Sequence, residues 1–272
     1  MIFHIHQPIG FLSSFIESLV FYADYSPDHV MERLLPDGKH NLIIDLTDRP
    51  KGIFDNYSLA QIQTCKGAWL SGARNELLTI DAGGAGSSML VITFRPGGAF
   101  HFAHFPICEI TGQVIEADLA FGRLVQELRE RLLASTSPLE KFHLTETYLN
   151  SQILKEEIPQ VISYATALIT NEPTTNALRQ LTQLSGYSQK HFIALFKKYT
   201  GLTPKAYQKV QRFQKVIRDL EESQNVNWTR LALDCGYYDQ AHFINEFRSF
   251  SGFNPEKYLI EKGPEMNYVP VR

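Results

Sequence analysis

The chain has 272 residues, 44% of them apolar and 20% charged, with a formal net charge of -3. At roughly 150 residues per domain this length suggests two domains, and the apolar fraction excludes a disordered, collagen-like or disulfide-stapled polypeptide. No apolar run approaches the roughly 20 residues of a membrane span, no basic-then-apolar leader opens the chain, and Cys65, Cys108 and Cys235 form no CxxC pair, so a cytoplasmic protein with reduced thiols is expected.

Between Phe11 and Phe105, short apolar stretches alternate with turn signals such as Pro36-Asp37-Gly38, Asp48-Arg49-Pro50 and Pro96-Gly97-Gly98. Such punctuation predicts a β-sandwich or barrel, with its clearest strands at Asn41–Leu46 and Ser88–Phe94. The glycine-rich stretch Ala82–Gly86 lacks the GxxxxGK[ST] lysine of a phosphate loop and reads as a hairpin turn. His101, His104 and Cys108 make an HxxH followed by a cysteine. Too few further ligands stand near them for zinc, so they read as a histidine pair beside Phe100, Phe102 and Phe105 in a packed loop, with no metal assigned.

After Thr111 the texture turns helical. Leu119, Leu124, Leu128 and Leu132 fall near helical spacing, and a second helix is expected from the Ser137-Pro138 cap through Leu144 and Leu149. This pair either covers the barrel's own apolar face or forms a dimer seam. From Ile158 onward only helices are expected, the first opened by Pro159 and closed at Asn171-Glu172-Pro173. The charge divides at the same place: residues 1–173 carry 12 Lys+Arg against 20 Asp+Glu, giving -8, and residues 174–272 carry 14 against 9, giving +5. The C-terminal part alone has the sign expected of a surface that meets polyanions.

An internal repeat organises that part. LSGYSQKHFIALFKKYTGLTPKAY and DCGYYDQAHFINEFRSFSGFNPEKY align Gly186-Tyr187 with Gly236-Tyr237 at an offset of 50. His191-Phe192, Phe196, Gly201, Pro204 and Tyr207 then align with His242-Phe243, Phe247, Gly252, Pro255 and Tyr258 at an offset of 51. In each copy a short apolar helix (Leu178, Leu181, Leu184; Trp228, Leu231, Leu233) precedes a glycine able to take positive φ. A capping residue, Ser188 or Asp239, then opens a second helix, Gln189–Tyr199 or Gln240–Phe250, whose phenylalanines face inward. Thr203-Pro204 and Asn254-Pro255 each start another helix. The first of these keeps Tyr207, Val210, Phe213, Val216, Ile217 and Leu220 in helical register for four turns and serves as a strut between the units. Two helix-turn-helix units reach successive major grooves on one face of DNA when they stand about 34 Å apart.

Over Ile158–Leu259, and most strongly over GYYDQAHFINEFRSFSGFNPEKY, the chain resembles the AraC/XylS-type bacterial transcription regulators. That resemblance implies a seven-helix DNA-binding domain with two recognition helices, coupled to a variable N-terminal domain that senses a ligand, dimerises, or does both. More loosely, MERLLPDGKHNLIIDL and ITFRPGGAFHFAHFP are similar to a cupin-like sensor domain over about residues 5–115.

The fold class expected is therefore α+β multidomain: a β-rich cupin-like sensor domain (1–112), a helical linker or dimerisation region (113–156), a double helix-turn-helix domain (157–262) and a C-terminal tail (263–272). On the first recognition helix, Ser188, Gln189 and Lys190 stand at the start, Gln189 and Lys190 suiting base edges, while Lys197 and Lys198 suit phosphates. Ile193 and Ala194 replace the long polar side chains that the family often carries there, so this unit is expected to read fewer bases. On the second, Gln240 and Asn245 suit adenine, Arg248 suits guanine or a phosphate, and His242 is divided between packing and contact. Lys205, Lys209, Arg212 and Lys215 on the strut read as a solvated helix face. The partners expected are double-stranded DNA, a small-molecule effector, a second copy of the chain and, for an activator, RNA polymerase, with no cofactor and no membrane. The sequence holds no GxSxG or HExxH motif. The competing reading is a cupin-like small-molecule-binding or metal-dependent enzyme with a helical interaction domain, for which the duplicated unit has no use.

Overall fold

The computed structural model describes residues 1–154, 157–173, 181, 186–222, 226–263 and 266–271. Its N-terminal part is built on two antiparallel sheets. The six-stranded sheet runs β1 (Ile2–His6), β2 (Ile16–Tyr25), β9 (Ser87–Phe94), β4 (Asn41–Asp45), β7 (Ala68–Ser71), β10 (Val114–Glu116). The five-stranded sheet runs β11 (Tyr268–Val271), β3 (Met31–Leu34), β8 (Leu78–Asp81), β5 (Lys51–Phe54), β6 (Gln61–Cys65).

The two strands most legible in the sequence, β4 and β9, lie side by side in the middle of the larger sheet, Ile43 opposite Val91. They are apolar on both faces because both faces are covered. Leu42, Ile44, Leu90, Ile92 and Phe94 point to the helices α1 (Ala117–Phe121), α2 (Leu124–Ala134) and α3 (Pro138–Gln152). Ile43, Met89 and Val91 point to the smaller sheet, where Ile53, Cys65, Trp69 and Leu78 fill the space between the sheets.

Three expectations change here. The glycine-rich stretch Ala82–Gly86 is not a hairpin turn: β8 before it and β9 after it lie in different sheets, so it carries the chain from one sheet to the other. Its carbonyls hold cations, Lys51 Nζ donating to Gly83 O at 2.6 Å and Arg49 Nη1 to Ala85 O at 2.5 Å. The leucine stripe from Leu119 to Leu132 is also not one helix. Gly122, at φ +68°, ends α1, and the buried row of α2 is Val125, Leu128 and Leu132, with Leu119 and Leu124 exposed. Finally, the region after Ile158 does contain a strand. Chain-terminal β11 pairs antiparallel with β3, Tyr268 opposite Leu34 and Val271 opposite Met31. It occupies a sheet edge, where Pro270 is tolerated.

The helical pair α2 and α3 packs on the larger sheet, Leu128, Leu132, Phe142 and Leu149 joining its core. Ser137 caps α3 by accepting from Glu140 N, with Pro138 in the first turn. His101 is buried with its ring 4.2 Å from that of Phe15, while His104 is exposed. The three cysteines are free; burial pushes the thiols of Cys65 and Cys235 up to about 12. Among the described residues no helix is long and apolar enough to cross a membrane, and no three His, Cys, Asp or Glu side chains converge as a metal site would need.

Candidate nucleic-acid interface

The C-terminal part is helical from α4 (Gln160–Asn171) through α5 (Gln189–Thr200), α6 (Pro204–Glu222), α7 (Trp228–Asp234), α8 (Gln240–Ser251) and α9 (Pro255–Glu261). In the second unit, α7 begins at Asn227, whose side chain accepts from Arg230 N. Gly236 then reverses the chain at φ +80°, a conformation that costs a side-chain-bearing residue about 1 kcal/mol or more. Asp239 Oδ1 accepts from His242 N at 2.7 Å and caps α8. Phe243 and Phe247 are fully buried, whereas Gln240, Ala241, His242, Asn245 and Arg248 are exposed. Leu233 is exposed rather than buried, because Trp228, Leu231, Ala232 and Cys235 hold the inward phase of that short helix.

The first unit repeats this grammar. Gly186 lies at φ +67°, Ser188 Oγ accepts from His191 N at 3.3 Å, and Phe192 and Phe196 are buried. Ser188, Gln189, Lys190, Ile193, Ala194 and Lys197 are exposed. Lys198 is half-buried, its Nζ lying 5.3 Å from the centre of the Phe100 ring and 5.0 Å from that of Tyr199. Of the helix expected before this turn, Leu178 and Leu184 lie outside the described residues; Leu181 is buried.

Between the units stands the strut, α6, 19 residues long and therefore about 28 Å from end to end. All six of its expected apolar positions are buried. Its basic residues are not a solvated face. Arg212 is buried and donates from Nε at 3.0 Å and from Nη2 at 2.5 Å to Glu246 Oε1 on α8, with its guanidinium 4.4 Å from the centre of the Tyr237 ring. Glu246 Oε2 makes no direct hydrogen bond but lies 3.3 Å from Lys209 Nζ and 3.7 Å from His242 Nε2. Lys215 Nζ donates to Asp234 O at 2.6 Å. Lys205 alone of the four is exposed. The strut's cations thus fasten the second unit. A hint was present in the sequence, since Glu246 falls on the Phe243–Phe247 side of α8, where a charge must find a partner.

Sequence reasoning missed the surface on which both units rest. The glycines that follow the two recognition helices, Gly201 and Gly252, are equivalent in the repeat, and both touch the N-terminal part. A Cβ on Gly201 would come within 3.1 Å of His40 Nε2, and one on Gly252 within 3.1 Å of Arg33 Nη1 and 3.3 Å of Leu77. Around them Thr111 Oγ1 donates to Gly201 O at 2.5 Å, the Phe100 and Tyr199 rings meet edge-on at 4.5 Å, and the Arg33 guanidinium lies 5.0 Å from the centre of Phe253. Polar side chains of the strut complete the contact: Gln211 donates to Asp37 O at 3.1 Å, and Gln214 to Pro36 O at 2.8 Å and Asn267 Oδ1 at 2.9 Å. His40 is wholly buried there, without a hydrogen bond at Nε2. Burial first, then the nearby Arg74 charge, lowers its pKa to about 3, so it stays neutral. Both recognition helices therefore have their C-terminal ends inward and their capped N-terminal ends outward. Gln189, Lys190, Gln240, His242 and Asn245 lie toward the outward ends, whereas Arg248, also exposed, stands in the last turn of α8 nearer the inward end.

Comparison with known proteins agrees with this geometry. Residues 181–260 match a family described as a helix-turn-helix domain, and residues 4–116 match a domain of unknown function, DUF6597. An uncharacterized HTH-type transcriptional regulator of Haemophilus influenzae is 30% identical over 81 residues, which cover 30% of this chain and 27% of that protein's length. Among solved structures, ToxT from Vibrio cholerae aligns with 95% of this chain and 98% of its own at 10% identity and a TM-score of 0.49. ToxT bound to (E)-4-(8-methylnaphthalen-1-yl)but-3-enoic acid aligns over the same shares at 13% identity and 0.46. Within the matched residues 181–260 lie the two capped helices α5 and α8 and the strut between them, so this part of the chain is a helix-turn-helix domain, and the chain spans about a quarter of the length of the regulator it matches.

Proposed function

We propose that this chain is a sequence-specific DNA-binding transcription regulator, with α5 and α8 entering successive major grooves and the N-terminal domain modulating them. One observation carries the reading: both recognition helices turn the same capped, solvent-exposed end outward while their C-terminal ends are held by the rest of the molecule. Gln189, Lys190, Gln240 and Asn245 are then base-reading, with Ser188, Ala194 and His242 beside them, and Lys197, Lys198 and Arg248 meet phosphates. Lys198 is shared, because its contact with Phe100 competes with a phosphate. In this proposal residues 1–112 form the sensor, 113–156 its helical cover and a candidate dimer region, 157–262 the DNA-binding domain and 263–272 the tail. An effector, a second copy and, for an activator, RNA polymerase are the further partners. The action is binding, without a covalent step, in the cytoplasm where the DNA lies.

Selection from a randomised duplex pool, followed by anisotropy titration of the full chain across a salt series, tests this. Lys197→Ala should weaken binding to every duplex and reduce the salt slope by about 1, whereas Gln240→Ala should relax one base pair by about 1–3 kcal/mol. Retention without sequence enrichment, or equal effects of both variants on selected and random DNA, overturns the assignment.

A further inference from the structure

Helices α2 and α3 cover one face of the six-stranded sheet, and α3 reaches the His6 end of β1, where Phe142 stacks on His6 at 5.2 Å and Glu146 lies 3.0 Å from it, but the Ile2 and His4 end of β1 lines an open cleft. There the cross-strand pairs Ile2–Ala23 and His4–Phe21 form a floor. Leu132 and Leu133 at the end of α2, Thr136 in the turn and Pro138 at the start of α3 form its other wall, leaving a cleft of about 550 Å³. That volume is in the range of small-molecule sites, about 300–1,000 Å³.

Into this cleft faces Lys141, near the start of α3 and only 6% exposed. Its ammonium donates to the carbonyls of Leu132 and Ser135 and lies 5.5 Å from the centre of the Phe21 ring. Both acceptors are neutral, and among the described residues no carboxylate forms an ion pair with it. The other ionisable side chain of the lining, His4, is also a base. Burial pulls the Lys141 ammonium below the usual lysine range, opposed by the charge of Glu140. A buried cation left without an anion is unfavourable, and apolar walls strengthen its attraction for one that arrives.

We infer that this cleft binds a small molecule with an apolar body and a single anionic group, the body lying on Phe21, Leu46 and Leu132 and the anion on Lys141. Between the two sheets, Ile53, Trp69 and Met89 form a packed core. The inference names the effector class of the proposed sensor and rests on that reading for its regulatory meaning. The binding itself is measured without DNA, so either can fail alone.

The matched probes are 8-anilinonaphthalene-1-sulfonate and its uncharged counterpart N-phenyl-1-naphthylamine, titrated by fluorescence into the full chain. The sulfonate should bind at least about tenfold more tightly than the neutral probe. Lys141→Met should remove that preference while leaving the neutral probe within about twofold. Ala23→Trp, which fills the floor from a partly exposed strand position, should abolish both with the circular dichroism melt retained. If Lys141→Met does not fold, the parent's probe preference and the Ala23→Trp result decide. Equal binding of the two probes by the parent, an unchanged preference in Lys141→Met, probe binding that survives Ala23→Trp, or loss of the sulfonate as the chain self-associates at higher concentration would each overturn it.

Discussion

The two helix-turn-helix units share caps, turn glycines and buried phenylalanines, yet they are anchored differently. The first leans on the N-terminal domain: Lys198 and Tyr199 meet Phe100, Thr111 donates to Gly201 O, and His40 lies under Gly201. The second is fastened chiefly to its own strut by Arg212, Lys209 and Lys215, with Arg33 and Leu77 as its N-terminal neighbours. A change in the N-terminal domain therefore reaches the first unit through its direct contacts, while the second, which Arg33 and Leu77 also touch, is held in addition by ionic contacts inside the helical domain. Units that look interchangeable in sequence are, in mechanical terms, one coupled probe and one fixed probe.

The strongest way to break this contrast is to cut the strut's ion pair. Glu246→Ala strands Arg212, 8% exposed at its side chain, without its partner; a loss of about 3–5 kcal/mol in chemical unfolding is expected. The double variant Arg212→Met, Glu246→Leu should recover most of it, because two apolar groups replace two buried charges. If hydrogen exchange of Glu246→Ala shows α5 loosened as much as α8, the second unit is not separately fastened.

The complementary cut is Phe100→Ala, which removes a ring buried among Tyr199, Lys198 and the interface core. Destabilisation of about 3 kcal/mol is expected, as for other buried phenylalanines. Amide exchange should rise in residues 189–200 more than in 240–251. Equal rises would mean that the N-terminal domain holds both units alike.

How the units are built was legible in the sequence; how they are held was not. Ser188, Asp239, Gly186, Gly236 and the Phe192–Phe196 and Phe243–Phe247 spacings act within a dozen residues, where capping, positive φ and helical phase are decided locally. The same holds for β4 and β9, whose β-rich runs sit between turn residues. By contrast, Tyr268 opposite Leu34, Gln214 on Pro36 O and Arg212 on Glu246 join segments distant along the chain, and local pattern says nothing about which segments will meet. The glycine-rich stretch misled for the same reason: its composition announces a turn, while tertiary pairing decides whether the flanking strands are partners.

Acid sharpens the comparison on the first unit's side. His40 is held neutral with its pKa at about 3, against 6.5 for an unperturbed histidine, so below pH 6.5 the unfolded chain takes up a proton that the folded chain refuses. Stability tied to this group is whole above pH 6.5 and is lost as pH falls toward 3. By pH 5 the loss is about 2 kcal/mol, at about 1.4 kcal/mol per unit. The chain with His40→Gln should lack this component of the pH profile, and exchange in the parent at pH 5 should rise at residues 189–200 first. A profile unchanged by the substitution would remove His40 from the coupling.

The smallest effect separates the caps themselves. Asp239 holds His242 N at 2.7 Å with a carboxylate, which also complements the positive end of the helix dipole; Ser188 holds His191 N at 3.3 Å with a neutral hydroxyl. Replacing either by alanine costs typically about 1 kcal/mol, and the charged, shorter bond should stand at the upper end of the range of about 0.5–2 kcal/mol. Asp239→Ala should therefore lower the unfolding midpoint more than Ser188→Ala. The difference should shrink in high salt as the dipole term is screened, while the hydrogen-bond term remains. Because α5 is also gripped at its far end by the N-terminal domain, loss of its cap should fray only its first turn, seen as faster exchange at His191 and Phe192. The same cut in α8 should spread to Glu246 and weaken the strut's grip. If the serine variant proves the more damaging, the first unit depends on its own cap more than on the N-terminal domain, and the assignment of coupled and fixed probes must be reversed.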